Sequence, residues 1–188
     1  MMPPVAKPFI DERAAAQLAR ATEPRRALFL DRDGVINVDH GYVHRPEDVT
    51  WVPGIFDLCR AAVADRFLPV VITNQAGIAR GYYTEDTFLA FTRWMHAAFA
   101  NEGVPLLATY FCPHHPDAGI GPYRVVCGCR KPAAGMLLAA LRDFAIDPAE
   151  SLLVGDKASD MAAARNANIG HAWHVQTDRL PNWSTLRP

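Results

Sequence analysis

Three apolar segments of the sequence, ALFL, VVI and LLVG, each run directly into polar residues. The residues that follow them are Asp31 and Asp33, Thr73 and Asn74, and Asp156 and Asp160. Carboxylates that lie close together repel one another unless a cation lies among them. Carboxylate oxygens and a backbone carbonyl suit Mg²⁺, which also binds substrate phosphate. If the three segments are parallel strands, their carboxyl ends meet at one edge of a sheet, and the sequence predicts a magnesium site there.

These residues, together with a CRKP sequence at 129–132, provide the groups that phosphoryl transfer needs. Asp31 can attack phosphorus and form an aspartyl-phosphate, which divides one difficult displacement into two easier ones. Asp33 is placed to protonate the leaving oxygen and then to deprotonate the water that hydrolyses the intermediate. Thr73 and Lys131 can offset charge on the transferring phosphoryl group, and Arg130 can bind a phosphate or another anionic group through two hydrogen bonds.

Each of these motifs also has an ordinary structural explanation. A DxD sequence in a loop is commonly turn chemistry, GDKASD can end a strand and cap a helix, and CRKP can be a solvated basic turn. All three occur in this chain, in order and each beside a strand end. Their combination favours the catalytic interpretation.

The cysteines indicate a second metal site. Three of the four cysteines lie near a histidine in a C-x-H and a C-x-C sequence, which are separated by 12 residues. Three thiolates and one imidazole form a closed tetrahedral zinc site, and closed sites are structural rather than catalytic. His115 is the alternative imidazole ligand, Cys59 is expected to be a small buried residue, and a disulfide framework is not expected in a chain of this size without a secretory signal. The predicted ligands are Cys112, His114, Cys127 and Cys129.

Short apolar segments alternate with helical patterns along the chain. Strands that alternate with helices need crossover connections, which give a three-layer α/β sandwich with a mainly parallel sheet. We expect an N-terminal arm over 1–26 and one domain over 27–188, with a zinc-binding loop at 112–129. The predicted strands are ALFL (27–30), LPVVIT (68–73), LLATYF (106–111), SLLVG (151–155) and HAWHV (171–175). The predicted helices span residues 54–66, 84–101, 135–144 and 159–167. The second of these begins at a Thr84 cap, ends at Asn101 and is expected to bury Phe88, Phe91, Met95, Ala98 and Phe99.

Composition sets limits on partners and location. The chain has 188 residues, 50% of them hydrophobic, and a net charge of −1. Near neutrality argues against binding of nucleic acid or an anionic membrane surface. No apolar run approaches the roughly 20 residues that span a bilayer, and the N-terminal stretch lacks the apolar core of a signal peptide. We therefore expect a cytoplasmic monomer that acts on a small molecule.

Four motifs, LFLDRDGVIN, VVITNQAGIARG, CRKP and VGDKASD, resemble in this order the motifs of the haloacid dehalogenase-like phosphatases. The resemblance covers nearly all of residues 27–175. Within that superfamily, DHGYV (39–43), CPHH followed by CGCRKP, and GDKASD are most similar to the D-glycero-D-manno-heptose 1,7-bisphosphate 7-phosphatases. Those enzymes hydrolyse the 7-phosphate of a heptose bisphosphate during synthesis of the nucleotide-activated heptose of lipopolysaccharide and surface glycans.

The resemblance implies a role for each matching residue. Asp31 would be the nucleophile and Asp33 the acid/base, while Asp31, the Asp33 carbonyl and Asp156 would hold Mg²⁺. Thr73 and Lys131 would stabilise the phosphoryl group, and the CPHH and CGCRKP segments strengthen the zinc interpretation. A haloacid dehalogenase-like Rossmannoid fold without a large cap domain is implied as well, since 16 residues separate Asn37 from Gly54. The implied contacts with the sugar or its second phosphate are Asp39, His40, Gly41, Tyr42, Asn74, Gln75, Arg130 and Lys157.

Three other functions are left open by the sequence. A histidinol-phosphate phosphatase would share the fold, the four motifs and a zinc loop, and DRLPNWSTL near the C-terminus resembles that family, although DHGYV and Lys157 argue against it. A polynucleotide end phosphatase would have a similar TNQAGIARG segment, but a basic groove and stacking aromatics are expected there. A zinc-stabilised binding module without activity is disfavoured because Asp31, Asp33 and Asp156 are all present.

Overall fold

A six-stranded sheet forms the middle of the protein. The structure is a computed structural model that describes residues 5–176 and 179–187. The strands are β1 (Phe9–Ile10), β2 (Arg26–Leu30), β3 (Phe67–Asn74), β4 (Ala108–Cys112), β5 (Leu152–Gly155) and β6 (His171–His174). They lie in the order β1-β4-β3-β2-β5-β6, with β1 antiparallel to β4 and every other pair of neighbours parallel.

Helices cover both faces of this sheet. They are α1 (Ala15–Arg20), α2 (Ile55–Ala64), α3 (Ala76–Ala79), α4 (Glu85–Asn101), α5 (Gly135–Phe144), α6 (Ala158–Asn166) and α7 (Trp183–Leu186). Side chains alternate between the faces of a strand. On β2, Phe29 packs with residues of α5 and α6, whereas Leu28 and Leu30 pack with residues of α2, α4 and α7. The expected three-layer sandwich with a mainly parallel sheet is confirmed. Within the described ranges, no helix combines the length and the apolar character needed to cross a bilayer.

The long elements follow the sequence pattern closely. All five predicted strands and all four predicted helices are present, with ends that differ by one or two residues at most. Thr84 caps α4 as expected, because its hydroxyl accepts a hydrogen bond from the Thr87 backbone N–H at 3.1 Å. Among the predicted core residues of α4, Phe88 and Phe99 are fully buried, while Ala98 is half-buried. The elements β1, α3 and α7 were not predicted, because segments of two to four residues are too short to display a period.

The connection between β2 and α2 controls access to the carboxyl edge of the sheet. Residues 31–54 contain a 3₁₀ turn at Pro46–Asp48 and otherwise consist of loops and isolated bridges. A connection of this length cannot form a cap domain. Loops must therefore form the walls of any pocket at this edge.

The N-terminal segment is attached to the sheet by a buried polar contact. His96 Nδ1 lies 3.0 Å from Asp11 Oδ2, and His96 Nε2 lies 2.8 Å from Thr109 Oγ1. Burial lowers the pKa of His96 to about 4, so we assign a neutral ring that donates from Nδ1 and accepts from Thr109. Arg13 also pairs with Asp11, at 2.8 Å. Residues 1–4 of the expected arm lie outside the described residues, and its boundary at residue 26 stays a prediction.

Candidate active site

Three carboxylates meet at the carboxyl edge of the sheet. Asp31 follows β2 and Asp156 follows β5, and these strands are hydrogen-bonded neighbours. Asp160, in the first turn of α6, joins them, with one oxygen of each carboxylate within 4.8 Å of the others. Burial and the charge of Asp31 raise the pKa of Asp156 to about 6. A divalent cation among these oxygens would remove that electrostatic cost, and the oxygen-only donor set fits Mg²⁺.

Lys131 is a buried cation that the chain itself supplies to this site. Its Nζ pairs with Asp31 Oδ1 at 2.8 Å and with Asp160 Oδ1 at 2.6 Å, and it donates to the Ile72 carbonyl at 2.8 Å. Burial alone would lower the pKa of Lys131, but the charges of Asp31 and Asp160 outweigh it and raise the pKa. The sequence predicts Asp160 at this edge of the sheet but gives it no role separate from that of Asp156. Its position four residues after Asp156, where a helix begins, is the signal that could have distinguished the two.

Asn74, the last residue of β3, holds the backbone of Lys131. Its Nδ2 donates to the Lys131 carbonyl at 3.0 Å, and its Oδ1 accepts from the Lys131 N–H at 3.0 Å. Both polar atoms of the amide therefore contact the backbone of a single residue, Lys131. The structure gives this expected sugar contact the geometry of a support for Lys131.

Asp33 is surrounded by side-chain donors. Arg32 Nη2 donates to Asp33 Oδ1 at 2.9 Å and to Oδ2 at 2.8 Å. Asn37 Nδ2 donates to Oδ1 at 3.0 Å, while Gln75 Nε2 approaches Oδ2 at 3.5 Å. An ionised carboxylate accepts such bonds, so this is the geometry of a base. Oδ2 accepts from two donors whereas Oδ1 accepts from three, so Oδ2 is the better placed oxygen for carrying a proton.

A short chain of hydrogen bonds orients Thr73. Gln75 Nε2 donates to the Thr73 hydroxyl at 2.7 Å, and Gln75 Oε1 accepts from the Tyr83 hydroxyl at 2.6 Å. Both Thr73 and Gln75 are 1% exposed. Burial raises the pKa of Tyr83 to about 12, so Tyr83 remains a donor. The oriented Thr73 hydroxyl can then donate its own proton toward a phosphoryl oxygen.

A cavity of about 490 Å³ reaches this site at Asp33, Gln75 and Lys131, whereas Asp31, Thr73 and Asp156 are not among its lining residues. On the loop side, Lys157 Nζ pairs with Asp39 Oδ2 at 3.2 Å and lies 3.8 Å from Asp156 Oδ2. Tyr42 has a positive φ of 56° and its exposed ring packs edge-on against Tyr82. The sequence-predicted residues that line the cavity are Asp33, Asp39, Gly41, Tyr42, Asn74, Gln75, Arg130, Lys131 and Lys157. The remaining expected sugar contact, His40, is exposed, and its Nε2 lies 3.1 Å from Thr50 Oγ1.

The predicted zinc ligands form one compact cluster. The sulfurs of Cys112, Cys127 and Cys129 lie 3.0 to 3.5 Å apart, and His114 Nδ1 is 3.5 Å from Cys129 Sγ and 3.9 Å from Cys112 Sγ. A hydrogen bond with Cys112 lowers the pKa of Cys129 to about 5, which favours a thiolate. The alternative ligand, His115, instead uses its Nδ1 to accept backbone hydrogen bonds from residues two and three positions ahead. Three sulfurs and one imidazole fit tetrahedral Zn²⁺.

This cysteine cluster is joined to the acidic site through the ends of β3 and β4. Cys112 is the last residue of β4 and pairs with Asn74 of β3. The Gln75 N–H donates to the Cys112 carbonyl at 2.8 Å. Arg130 follows Cys129 in the chain, and its Nη1 donates to the His114 carbonyl at 3.2 Å. The loop that carries Arg130 and Lys131 is therefore held near Cys112, where it begins, and near Arg130, where it ends.

Comparison with known proteins gives concordant results. A family model described as HAD-hydrolase-like matches residues 128–177. The D-glycero-beta-D-manno-heptose-1,7-bisphosphate 7-phosphatase of Yersinia pestis is 49% identical over 158 residues, 84% of each chain. The D-glycero-alpha-D-manno-heptose-1,7-bisphosphate 7-phosphatase of Burkholderia mallei is 55% identical over 145 residues, 77% of each chain. A crystal structure of D,D-heptose 1.7-bisphosphate phosphatase from B. bronchiseptica, complexed with magnesium and phosphate, has a TM-score of 0.70 and 35% identity, and the match covers 86% of this chain and 84% of that one.

Proposed function

We propose that this chain, which belongs to the haloacid dehalogenase-like heptose-1,7-bisphosphate 7-phosphatases, hydrolyses the 7-phosphate of D-glycero-D-manno-heptose 1,7-bisphosphate. The observation that carries the proposal is the arrangement of Asp31 beside Lys131 and two further carboxylates at the edge of a cavity with additional cations. The reaction would be one step in the synthesis of nucleotide-activated heptose for lipopolysaccharide. A cytoplasmic location and a monomeric state are parts of the same proposal.

Asp31 is the proposed nucleophile. Its Oδ1 accepts from the Arg32 N–H at 2.8 Å and from Lys131 Nζ at 2.8 Å, and these two donors fix the orientation of the carboxylate. Attack on phosphorus forms an aspartyl-phosphate as the bond to the sugar oxygen breaks. Lys131 and the Thr73 hydroxyl offset charge on the phosphoryl oxygens during this transfer. Asp31, Asp156 and the Asp33 carbonyl would hold Mg²⁺, which supplies further charge neutralisation when bound.

Asp33 is the proposed acid and base. In the first half of the reaction its Oδ2 gives a proton to the departing sugar oxygen, and in the second half the carboxylate takes a proton from the attacking water. Its position at the cavity wall supports this role. The donors around it hold the carboxylate in one orientation for both halves of the reaction.

The loop side of the cavity is the proposed sugar site. Arg130 and Lys157 line the same cavity as Lys131, and they can bind the phosphate that is not transferred. Asp39 accepts a hydrogen bond from the Gly41 N–H at 3.1 Å and pairs with Lys157, so this part of the wall is already ordered for hydroxyl groups of the sugar. The relatives act on different anomers by name, and the proposal covers the heptose bisphosphate in either form.

Zinc is the proposed structural metal of the loop at 112–129. The four ligands leave no position open for water, so the ion would hold the loop without taking part in catalysis. The contact between Arg130 and the His114 carbonyl supports a further consequence. A zinc ion bound there would fix the direction of Arg130 and Lys131 without touching either side chain. The proposed ligands are Cys112, His114, Cys127 and Cys129.

A comparison of two substrates tests the proposed function. Phosphate release would be measured with purified protein and Mg²⁺, using heptose 1,7-bisphosphate and histidinol phosphate as alternative substrates. We expect a much higher kcat/KM for the heptose bisphosphate and no release by an Asp31→Asn variant. Preference for histidinol phosphate would overturn the substrate assignment, and undiminished release by Asp31→Asn would overturn the mechanism.

A further inference from the structure

Arg32 lies between the two catalytic aspartates, and the mechanism above uses only its backbone N–H. Its side chain is 1% exposed. The guanidinium carbon lies 5.1 Å from the centre of the Phe91 ring and 5.9 Å from that of Phe88. A cation buried under aromatic rings is costly unless its N–H groups meet well-placed acceptors. The acceptors of Arg32 therefore indicate why the chain keeps a buried charge at this position.

The guanidinium group contacts two parts of the active site at once. Besides the two bonds from Nη2 to Asp33, Nε donates to Asp33 Oδ1 at 3.2 Å. The same Nη2 donates to the Val43 carbonyl at 2.6 Å. Val43 ends the segment 39–43, which contributes Asp39 and Tyr42 to the cavity wall. One rigid, planar group thus joins the acid/base carboxylate to the segment proposed to contact the sugar.

We propose that Arg32 is a positioning residue that fixes the Asp33 carboxylate relative to segment 39–43, so that proton transfer to the leaving oxygen depends on how the sugar is held. The inference rests on the proposed function, in which Asp33 is the acid and base. Arg32 transfers no proton, because a guanidinium group stays charged in proteins. It determines where the two Asp33 oxygens lie when the bond between phosphorus and the sugar oxygen breaks.

The geometry favours arginine over lysine. A guanidinium group presents its donors in a fixed plane, whereas the lysine ammonium is a compact point charge on a flexible stem. Lysine at position 32 would keep the positive charge but would lose the second donor to Asp33, the Nε group, and with it the fixed plane that sets the direction of Nη2. The chain offers a second Arg–Asp pair for comparison, away from the site and with an arginine side chain that is 44% exposed. Arg13 donates to Asp11 through Nε at 2.9 Å and Nη2 at 2.8 Å, close to β1 and at the start of β4.

The test compares leaving groups in a single turnover of an Arg32→Lys variant, with release of the leaving group as the readout, because this reports the first half of the reaction and excludes the hydrolysis of the aspartyl-phosphate that both substrates share. One substrate is the sugar or alcohol phosphate monoester that the wild-type enzyme hydrolyses best, whose leaving oxygen needs a proton. The other is acetyl phosphate, whose carboxylate leaving group needs none. Since general acid catalysis contributes about 10²- to 10⁴-fold, we expect the monoester to react at least about tenfold more slowly, with KM changed less than about threefold. Acetyl phosphate should be slowed by less than about threefold, because its first chemical step needs no general acid.

The Arg13→Lys variant is the control and should leave both rates unchanged. Equal slowing of both substrates by Arg32→Lys would show a structural role and overturn the inference, as would unchanged rates or a rise in KM alone. If circular dichroism shows that the Arg32→Lys variant does not fold, the same comparison of leaving groups is made with Asn37→Ala. That variant removes the other side-chain donor to Asp33 Oδ1. Since the best monoester is chosen by experiment, a preference for histidinol phosphate would overturn the substrate assignment and leave this test valid.

Discussion

A Lys131→Met variant keeps a side chain of similar length in the active site and removes the ammonium group. That group lies 2.8 Å from Asp31 Oδ1, 2.6 Å from Asp160 Oδ1 and 2.8 Å from the Ile72 carbonyl oxygen. Lys131 is 4% exposed, so solvent replaces little of what is lost. The variant leaves two buried carboxylates without their cation, next to a third carboxylate at Asp156.

Two magnitudes follow from this geometry. Removing one partner of a buried ion pair destabilises a protein by about 3–5 kcal/mol. For Lys131→Met we expect the free energy of unfolding to fall by about 3 kcal/mol in the presence of a chelator, since the site adjoins a cavity and the carboxylates keep some access to water. Added Mg²⁺ should reduce this loss, because a ligand that binds only the folded state stabilises it by mass action. Loss of a charge that faces the phosphoryl group should lower kcat by about 10²- to 10³-fold.

Urea unfolding with and without Mg²⁺ would give the stability change, and phosphate release in a single turnover would give the chemical rate. Lys157→Met is the matched control, since Lys157 is half-exposed and pairs with Asp39 on the loop side of the cavity. It should raise KM and change the free energy of unfolding by less than about 1 kcal/mol. A folded Lys131→Met protein with a kcat within about tenfold of wild type would refute the reasoning, because no preorganised charge would then have been lost.

Four further variants test other parts of the site and fold. Asn74→Ala removes both hydrogen bonds to the Lys131 backbone. The free energy of unfolding should therefore fall by about 2 kcal/mol, and kcat by about tenfold at nearly constant KM. A higher KM with unchanged kcat would instead show that Asn74 contacts the sugar. Cys129→Ser should lose zinc, measured by elemental analysis, together with melting temperature and kcat/KM; normal turnover by the zinc-free protein would contradict the structural role. In saturating Mg²⁺, the wild-type free energy of unfolding should fall as pH drops from 6.5 to about 4. The reason is that the unfolded chain binds a proton at His96 more readily than the folded chain does. A His96→Gln variant should lack this contribution to the pH dependence, which is at most about 3 kcal/mol. Asp31→Asn should bind Mg²⁺ more weakly in calorimetry and form no phosphoenzyme; detection of a stable phosphoenzyme would identify another nucleophile.

The residues that meet at the carboxyl edge of the sheet could be predicted, because the rule that brings them together depends only on strand pattern and direction. Strands that are apolar on both sides are parallel and covered by helices, and the ends of parallel strands share an edge. Asp31 and Asp156 could therefore be expected near each other although they are far apart in sequence. The cysteine cluster was predictable for a related reason, since thiolates and imidazole at close spacing have few other uses in a chain without disulfides.

Contacts made by neutral or ambiguous side chains were not predictable in the same way. An amide after a strand end suits a sugar hydroxyl and a backbone peptide equally well. In Asn74 the direction of the side chain decides between them, and the partner, Lys131, is 57 residues away. The partner of Asp160 illustrates the same limit: the residue was expected at this edge, but a carboxylate in the first turn of a helix is ordinarily explained by capping. It does accept a hydrogen bond from the Lys157 N–H at 3.0 Å, and it also pairs with Lys131.

Arg32 shows how a position between two motif residues can acquire a function that the motif does not state. A charged residue in a loop is expected to be exposed, since burying a charge costs free energy. Here Asp33 and the Val43 carbonyl offset part of that cost, while Nη1 is buried without a hydrogen-bond partner among the described residues, and both acceptors belong to the proposed catalytic apparatus. Displacing either one would leave the guanidinium group buried with fewer partners. Movement of segment 39–43 and movement of the acid/base carboxylate are therefore energetically linked, and that linkage is what a comparison of leaving groups measures.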